Sequence, residues 1–429
     1  MNNDISVRWH RLRVLAAILI AGITIGIVAF GVKHAIAALS RLITTTFDPD
    51  SSNLILLFSG IASITVSGLI VRKVVKMPLE HSTSRIKNDL KTGRAPLPWR
   101  LTIAPVAVNA ITLGFGGSAG AEGPIAYCGG AIASRVAALL RLPEKQLIIF
   151  LACGAGAGIA AIFKAPLGGF FFTIEVLRFP LSPAATITLA LICLTAGLTA
   201  YAAGNFAPDI PFGDCEPMSA EWYPAIFLLG IVCGLYSLYY YKTGKITESR
   251  LSAIRRPLFR NLLAGTFLGV CLLLFPSLYG EGYGVLDKVL NGDMTAISAG
   301  SILHETGGTP LIVATLAGLL LIKPFATYAT NSGGGVAGEF APTIFAGGLT
   351  GALFVMCASS LPGCSGMPAG DFIVIAMAAV MAGAIKAPLM AIFIVTEATS
   401  SPSLLLPLSI ASGTSYLIAN FKKFSKTKC

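Results

Sequence analysis

The apolar positions of this chain fall in long blocks separated by short polar or glycine-rich breaks, and the block lengths predict its elements. Val14 to Leu39 and Leu54 to Val71 read as a helical pair joined by the polar link Asp48 to Asn53. The basic segment Arg72 to Arg100 follows. Next come the apolar run Leu101 to Phe115, a break reading GGSAGAEGP (Gly116 to Pro124), and a small-residue helix from Ile125 to Leu140. Leu147 to Ile162 and Ala165 to Leu177 form a pair broken at Pro166, and Ala184 to Ala203 closes this half. After the acidic linker Gly204 to Trp222 the second half opens with Tyr223 to Tyr241, a basic loop, and Leu258 to Leu274. A polar, glycine-rich passage from Gly280 to Pro310 leads to Leu311 to Ile322. A second break, GGGVAGEFAP (Gly333 to Pro342), precedes Thr343 to Ser359, and Phe372 to Ile385, Ala387 to Val395 and Leu404 to Asn420 complete the pattern. Runs near 20 apolar residues are the unit that crosses a bilayer.

Composition sharpens this into a class. The chain has 429 residues, 55% of them hydrophobic and only 12% charged, with a mean hydropathy of +0.78. A soluble domain carries about a quarter charged residues, so the pattern predicts an all-α polytopic membrane protein. The first run is too long for a signal-peptide core and has no small-residue cleavage site, so it is expected to stay as a membrane helix.

The net charge of +11 is distributed as a topology signal. Arg8, Arg11 and Arg13 precede the first run, Arg72 to Arg100 and Lys242 to Arg260 form two clusters, and Lys422 to Lys428 ends the chain. Acidic residues gather at Asp48 and Asp50, Asp209 to Glu221, and Glu281 to Asp293. Positive-inside logic places the basic clusters and both termini in the cytoplasm, in the inner (cell) membrane of a bacterium. No continuous basic face on a soluble module is visible, so no nucleic-acid partner is expected. The nine cysteines show no CxxC spacing and read mainly as small apolar side chains, with Cys215 and Cys364 the loop pair that distance alone would decide.

An internal repeat organises the chain. Lys164-Ala165-Pro166-Leu167 leads to Glu175, and Lys386-Ala387-Pro388-Leu389 leads to Glu397 at the same spacing; Gly120 precedes Pro124 as Gly338 precedes Pro342. With both termini inside and the acidic linker outside, each half crosses an odd number of times, which inverts the repeat. The expected units are a first repeat 1–203, an extracellular or periplasmic linker 204–222, a second repeat 223–420 and a basic tail 421–429. No soluble regulatory domain is expected.

The two breaks carry the chemistry. A helix that starts within the membrane aims unpaired N–H groups and its positive dipole end at whatever precedes it, so two starts converging at the midplane form a site for a dehydrated anion. Glu122 sits at one start and would occupy the site as a tethered anion until protonated; its alternative is an ordinary capping carboxylate. Ionisable groups inside a membrane are costly and commonly functional. The glycine clusters alone serve close helix packing equally well. Glu175 and Glu397, at helix ends, suit a structural salt bridge or cap, and Lys164 and Lys386 bonds to nearby carbonyls. Gly154 to Gly158 imitates a dinucleotide loop but lies inside a membrane run with no preceding strand. An enzyme reading fails because His10, His34, His81 and His304 have no metal-ligand spacing, and HETGG (His304 to Gly308) lacks a second histidine. No cofactor and no metal are expected.

These motifs resemble the CLC family of chloride channels and proton-coupled anion antiporters, over about Val14 to Asn420. GAEGP (Gly120 to Pro124) is similar to the family's GREGP, whose glutamate is the gate; Glu122 matches and Ala121 replaces the arginine. GEFAP (Gly338 to Pro342) is similar to its GxFxP motif, and the KAPL segments to its NAPL…IEE segment and later counterpart. The resemblance implies a CLC-type fold of two inverted repeats with broken helices meeting at the midplane, in a homodimer with one pore per subunit and its interface on 165–203 and 387–420. It implies anion contacts at Gly120, Ala121, Gly123, Glu339, Phe340 and Ala341. HSTSR (His81 to Arg85) stands where the family has GSGIP, so His81, Ser82, Thr83 or Ser84 would face the ion.

Three departures set the functional expectation. The second glutamate of IEE is Val176, as in channel members. The family's final helix and its pore tyrosine are expected to be absent, with a wider or differently closed inner mouth; Tyr416 belongs to the preceding helix. Glu339 stands where the family has an apolar residue, as a second proton acceptor or as a cap turned away from the pore. The expectation leans to a passive, pH-gated channel for chloride or a similar small monovalent anion. Its alternatives are an anion/proton antiporter using Glu122 and Glu339 for proton transfer, or a related transporter of bicarbonate, nitrate or fluoride.

Overall fold

The computed structural model describes residues 2–45, 53–76, 82–180, 182–208, 210–212, 217–301, 309–360, 362 and 366–426. His81, the Cys215–Cys364 pair, the His304-to-Gly308 motif and the Asp48 and Asp50 link lie outside them, as do parts of the acidic linker and the basic tail. The first half contains α1 (Asn2–Thr44), α2 (Ile55–Ile70), α3 (Ser82–Thr92), α4 (Trp99–Gly114), α5 (Glu122–Leu139), α6 (Glu144–Ile162), α7 (Pro166–Phe171) and α8 (Pro183–Ala203). The second contains α9 (Tyr223–Ser252), α10 (Pro257–Leu274), α11 (Tyr283–Leu290), α12 (Thr309–Gly333), α13 (Phe340–Ala358), α14 (Ala369–Ile385), α15 (Pro388–Thr399) and α16 (Leu405–Lys426). Nine helices among the described residues are long and apolar enough to cross a membrane. Many large apolar side chains, such as Phe58, Phe259 and Leu321, face outward, as a lipid-facing surface requires.

Most predicted blocks became helices within a few residues of their expected ends, and two differ in ways that matter. The expected basic loop after Tyr241 is helical to Ser252, so α9 continues past its apolar run and carries Lys245. The run expected to stop at Ile322 continues as α12 through Lys323 and an internal Pro324 to Gly333. Neighbouring helices tolerate such a proline where they resatisfy the freed backbone group.

Corresponding helices in the two halves pack alike. At Gly129 on α5, a Cβ would collide with Gly154 and Gly158 of α6, so the GAGAG run is a helix–helix contact. Gly347 and Gly351 of α13 lie equally close to α14. Small residues at these crossings let the backbones approach, which supplies dispersion contacts where no hydrophobic drive separates helix from lipid.

The halves also lock to each other. Glu397 of α15 accepts the Leu167 and Gly168 N–H groups at the start of α7, at 3.1 and 2.9 Å. Glu175 accepts the Leu389 and Met390 N–H groups at the start of α15, at 3.2 and 2.8 Å. Each carboxylate therefore caps the KAPL helix of the other half, satisfying N–H groups that the helix leaves open. Lys164 and Lys386 both adopt left-handed backbone before these helices. The Lys164 ammonium donates to Ala207 O at 2.7 Å, whereas Lys386 lies 4.5 Å over the Tyr241 ring.

Candidate functional site

The two glycine-rich breaks lie against each other. Gly338 N donates to Gly120 O at 2.6 Å and Gly120 N to Gly338 O at 3.1 Å, an antiparallel bridge in an otherwise helical structure. Each break is braced by the helix before the other. Val336 N donates to the Thr112 hydroxyl of α4 at 3.2 Å, and Ser118 N donates to the Thr330 hydroxyl of α12 at 3.2 Å. Within each half, Gly117 N bonds Thr112 O and Gly335 N bonds Thr330 O. Asn109 adds bonds to Val336 O at 2.8 Å and Gly120 O at 3.3 Å. Gly116 and Gly334 hold φ values of +93° and +134° at matching points, conformations that a Cβ disfavours.

From this double loop α5 and α13 begin. Glu122, 1% exposed, turns its carboxylate across to the other half and accepts the Ala341 N–H in the first turn of α13. The carboxylate also lies against Gly120 and Gly338, where a Cβ on either glycine would displace it. Its second oxygen is buried without a hydrogen-bond partner among the described residues.

A cavity of about 320 Å³ opens beneath this point. Its walls include Ser82, Thr83 and Ser84, Gly123, Val176, Glu339, Phe340 and Lys386. Ser82, at the start of α3, is the nearest of the three hydroxyl residues to Gly123, with its Cβ 3.6 Å from where a Cβ of Gly123 would stand. Three helix starts, those of α3, α5 and α13, thus border one space. Glu339 precedes α13 but makes no side-chain cap; it accepts the Tyr328 hydroxyl at 2.9 Å and faces the cavity. The alternative of a helix-capping carboxylate turned away from the pore is not what the chain adopts. Lys245 and Lys386 line the same cavity, Lys245 bonded to Glu248 at 2.7 Å.

Not every expected contact faces this space. The Gly120 N–H is committed to Gly338 O, and the Ala121 N–H donates to Glu281 at 3.1 Å. The Ala341 N–H is held by Glu122 itself. Several residues of the site went unnoticed in the sequence. Lys245 falls in the expected basic loop after Tyr241, and Lys323 and Tyr328 lie beyond the expected end of the apolar run at Ile322. Lys323 carried a usable signal, an ionisable residue flanked by apolar sequence; Glu281 carried none.

Paired broken helices around a buried carboxylate define a membrane anion transporter built on helix dipoles. The match is specific: residues 62–420 fit the voltage gated chloride channel family model, and the chain belongs to that family. A putative chloride channel protein ClcB-like of Ralstonia nicotianae is 27% identical over 83% of this chain and 80% of its own length. The H(+)/Cl(−) exchange transporter ClcA of Vibrio campbellii is 26% identical over 75% of this chain and 67% of that protein. Among solved structures, a slow cyanobacterial Cl−/H+ antiporter superposes with a TM-score of 0.80 at 21% identity, covering 96% of this chain and 95% of the other. A CLC-type fluoride/proton antiporter superposes with a TM-score of 0.73 at 21% identity, over 94% and 95% of the two chains. The CLC fold and a role in anion transport are thereby established; the chain is a transporter or channel, not an enzyme.

Proposed function

We propose that this protein exchanges protons for chloride or a similar small monovalent anion across the bacterial inner membrane. The observation that carries this reading is the pair of carboxylates at the start of α13. Glu122 caps that helix from within the membrane, and Glu339 opens to the cavity immediately before it. The Val176 position, which favoured a passive channel, is an apolar part of the cavity wall; Glu339 supplies a carboxylate on the same cavity. The exchange activity named for the Vibrio relative supports the same reading.

The cycle follows from helix electrostatics. Deprotonated, Glu122 holds the α13 N–H group that an anion needs. Protonated, it loses most of its attraction for the dipole and leaves, and the anion takes its place at the helix start with Ser82 below. Glu339, with Tyr328 holding its carboxylate, passes protons between the cavity and Glu122. Residues 1–203 and 223–420 act as inverted repeats. Both termini and the cavity face the cytoplasm. Subunits pair through α7, α8, α15 and α16, each with its own pore.

The test is reconstitution in liposomes under an anion gradient, with proton movement followed beside anion flux. Wild type is expected to move protons against the anion, and Glu339→Gln to lose that movement. Anion flux with no proton movement in wild type would return the protein to the passive-channel reading. Running the assay in chloride, fluoride, nitrate and bicarbonate ranks the substrates.

A further inference from the structure

The side of the gate opposite the cavity holds a second charged cluster. Ala121, directly before Glu122, donates its N–H to the Glu281 carboxylate at 3.1 Å. Glu281 lies between α10 and α11. Because α10 starts after the basic pair Arg255 and Arg256, its far end and Glu281 fall on the outer face. Glu281 does not line that cavity and is half-buried.

Beside it stands Lys323 of α12, fully buried. Its ammonium donates to the Ser118 hydroxyl of the first break at 3.0 Å and lies 4.7 Å over the Phe345 ring. Lys323 and Glu281 interact electrostatically, as do Glu281 and Glu122. Tyr328, on the cavity side, is five residues further along α12, about 7.5 Å of helix rise. Among the described residues, Lys323 from α12 and Glu122 at the start of α5 are ionisable groups coupled to Glu281. The neighbouring Tyr279 gives its hydroxyl to Gly114 O.

Neither Glu281 nor Lys323 is used by the cycle above, yet a buried ammonium is costly unless compensated, and here the compensating carboxylate is bonded to the gate's own backbone. We infer that Glu281 is the outer proton carrier of the exchange cycle, with Lys323 and the Ala121 N–H as the groups that position it. The inference rests on the exchange reading and adds the outer half of its proton route. A proton from external water binds the Glu281 carboxylate and passes to the second oxygen of Glu122, returning Glu281 to its anionic form. The gate, now neutral, releases the α13 start. Proton and charge are conserved at each step. Three carboxylates, Glu339, Glu122 and Glu281, then mark the route from inner cavity to outer solvent.

Glu281→Gln separates this role from a structural one, because the amide oxygen still accepts the Ala121 N–H but carries no exchangeable carboxyl proton. In proteoliposomes with an imposed anion gradient, the variant is expected to lower protons moved per anion by about a hundredfold or more, the low end of what one acid–base group contributes. Glu281→Asp, which keeps a titratable oxygen, is expected to retain measurable coupling. A wild-type ratio in Glu281→Gln overturns the inference while leaving the exchange reading intact. Absence of proton movement in wild type overturns the exchange reading itself and this inference with it. Should the glutamine variant fail to fold, Glu281→Asp decides: coupling retained supports the carrier, coupling lost in a folded protein that still carries anions overturns it.

Discussion

Glu122 does two jobs with one side chain, and both follow from where its oxygens lie. One oxygen accepts the Ala341 N–H; the carboxylate as a whole fills the space over Gly120 and Gly338 that a side chain there would need. Glu122→Gln removes the titratable charge but keeps the bulk, so anion flux in liposomes is expected to lose its dependence on external pH. Unchanged pH dependence would remove Glu122 from the gate. Gly338→Ala provides an independent approach, since its Cβ pushes on the same carboxylate. Its expected result is increased anion flux at pH values where wild type is closed; a flux equal to wild type would mean that the carboxylate relocates without opening the path. Tyr328 and Glu281 show how differently two partners of carboxylate chemistry read in sequence. Tyr328 lies behind a lysine that ends the apolar run, and Glu281 lies in the acidic cluster Glu281 to Asp293, where no local pattern sets it apart from its neighbours.

At the level of elements, reciprocity between the halves holds the site together. Thr112 braces the second break and Thr330 the first, while Glu175 and Glu397 cap each other's helices. Glu397→Ala leaves two N–H groups of α7 without their carboxylate, a loss on the order of 1–3 kcal/mol. Thermal unfolding in detergent is expected to show a lower midpoint with proton coupling in the folded protein unchanged. A change in the proton-to-anion ratio would instead place Glu397 on the transport route. The KAPL repeat was legible because lysine, proline and glutamate recur at equal spacing. That the two carboxylates exchange partners was not, because spacing along one half says nothing of contacts to the other. The end of α9 was missed for a related reason: its last turns are polar, and helix continuation there needs no apolar stripe.

For the whole molecule, exposed apolar side chains on the helices proposed to form a subunit interface set the remaining prediction. Ile187 and Leu198 of α8 and Leu406 and Leu417 of α16 face outward, on the segments expected to join two subunits. Single-molecule photobleaching in lipid is expected to count two subunits, and Ile187→Trp with Leu406→Trp to shift that count toward one while each subunit still carries anions. A monomer in wild type would end the dimer proposal.

By itself the sequence determined the class, the family and most of the spans, and it pointed to the duplication and to Glu122 as the proposed gate, because hydrophobic length, charge placement and repeated motifs are local signals that survive without coordinates. Only the tertiary structure decided that the Gly120, Ala121 and Ala341 N–H groups are already bonded within the protein. It turned Glu339 into the cavity and away from capping, and set Glu281 and Lys323 beside the gate. Those outcomes depend on side chains from opposite halves meeting in a low-dielectric interior. There each buried charge must find a partner, and no spacing along the chain encodes which one.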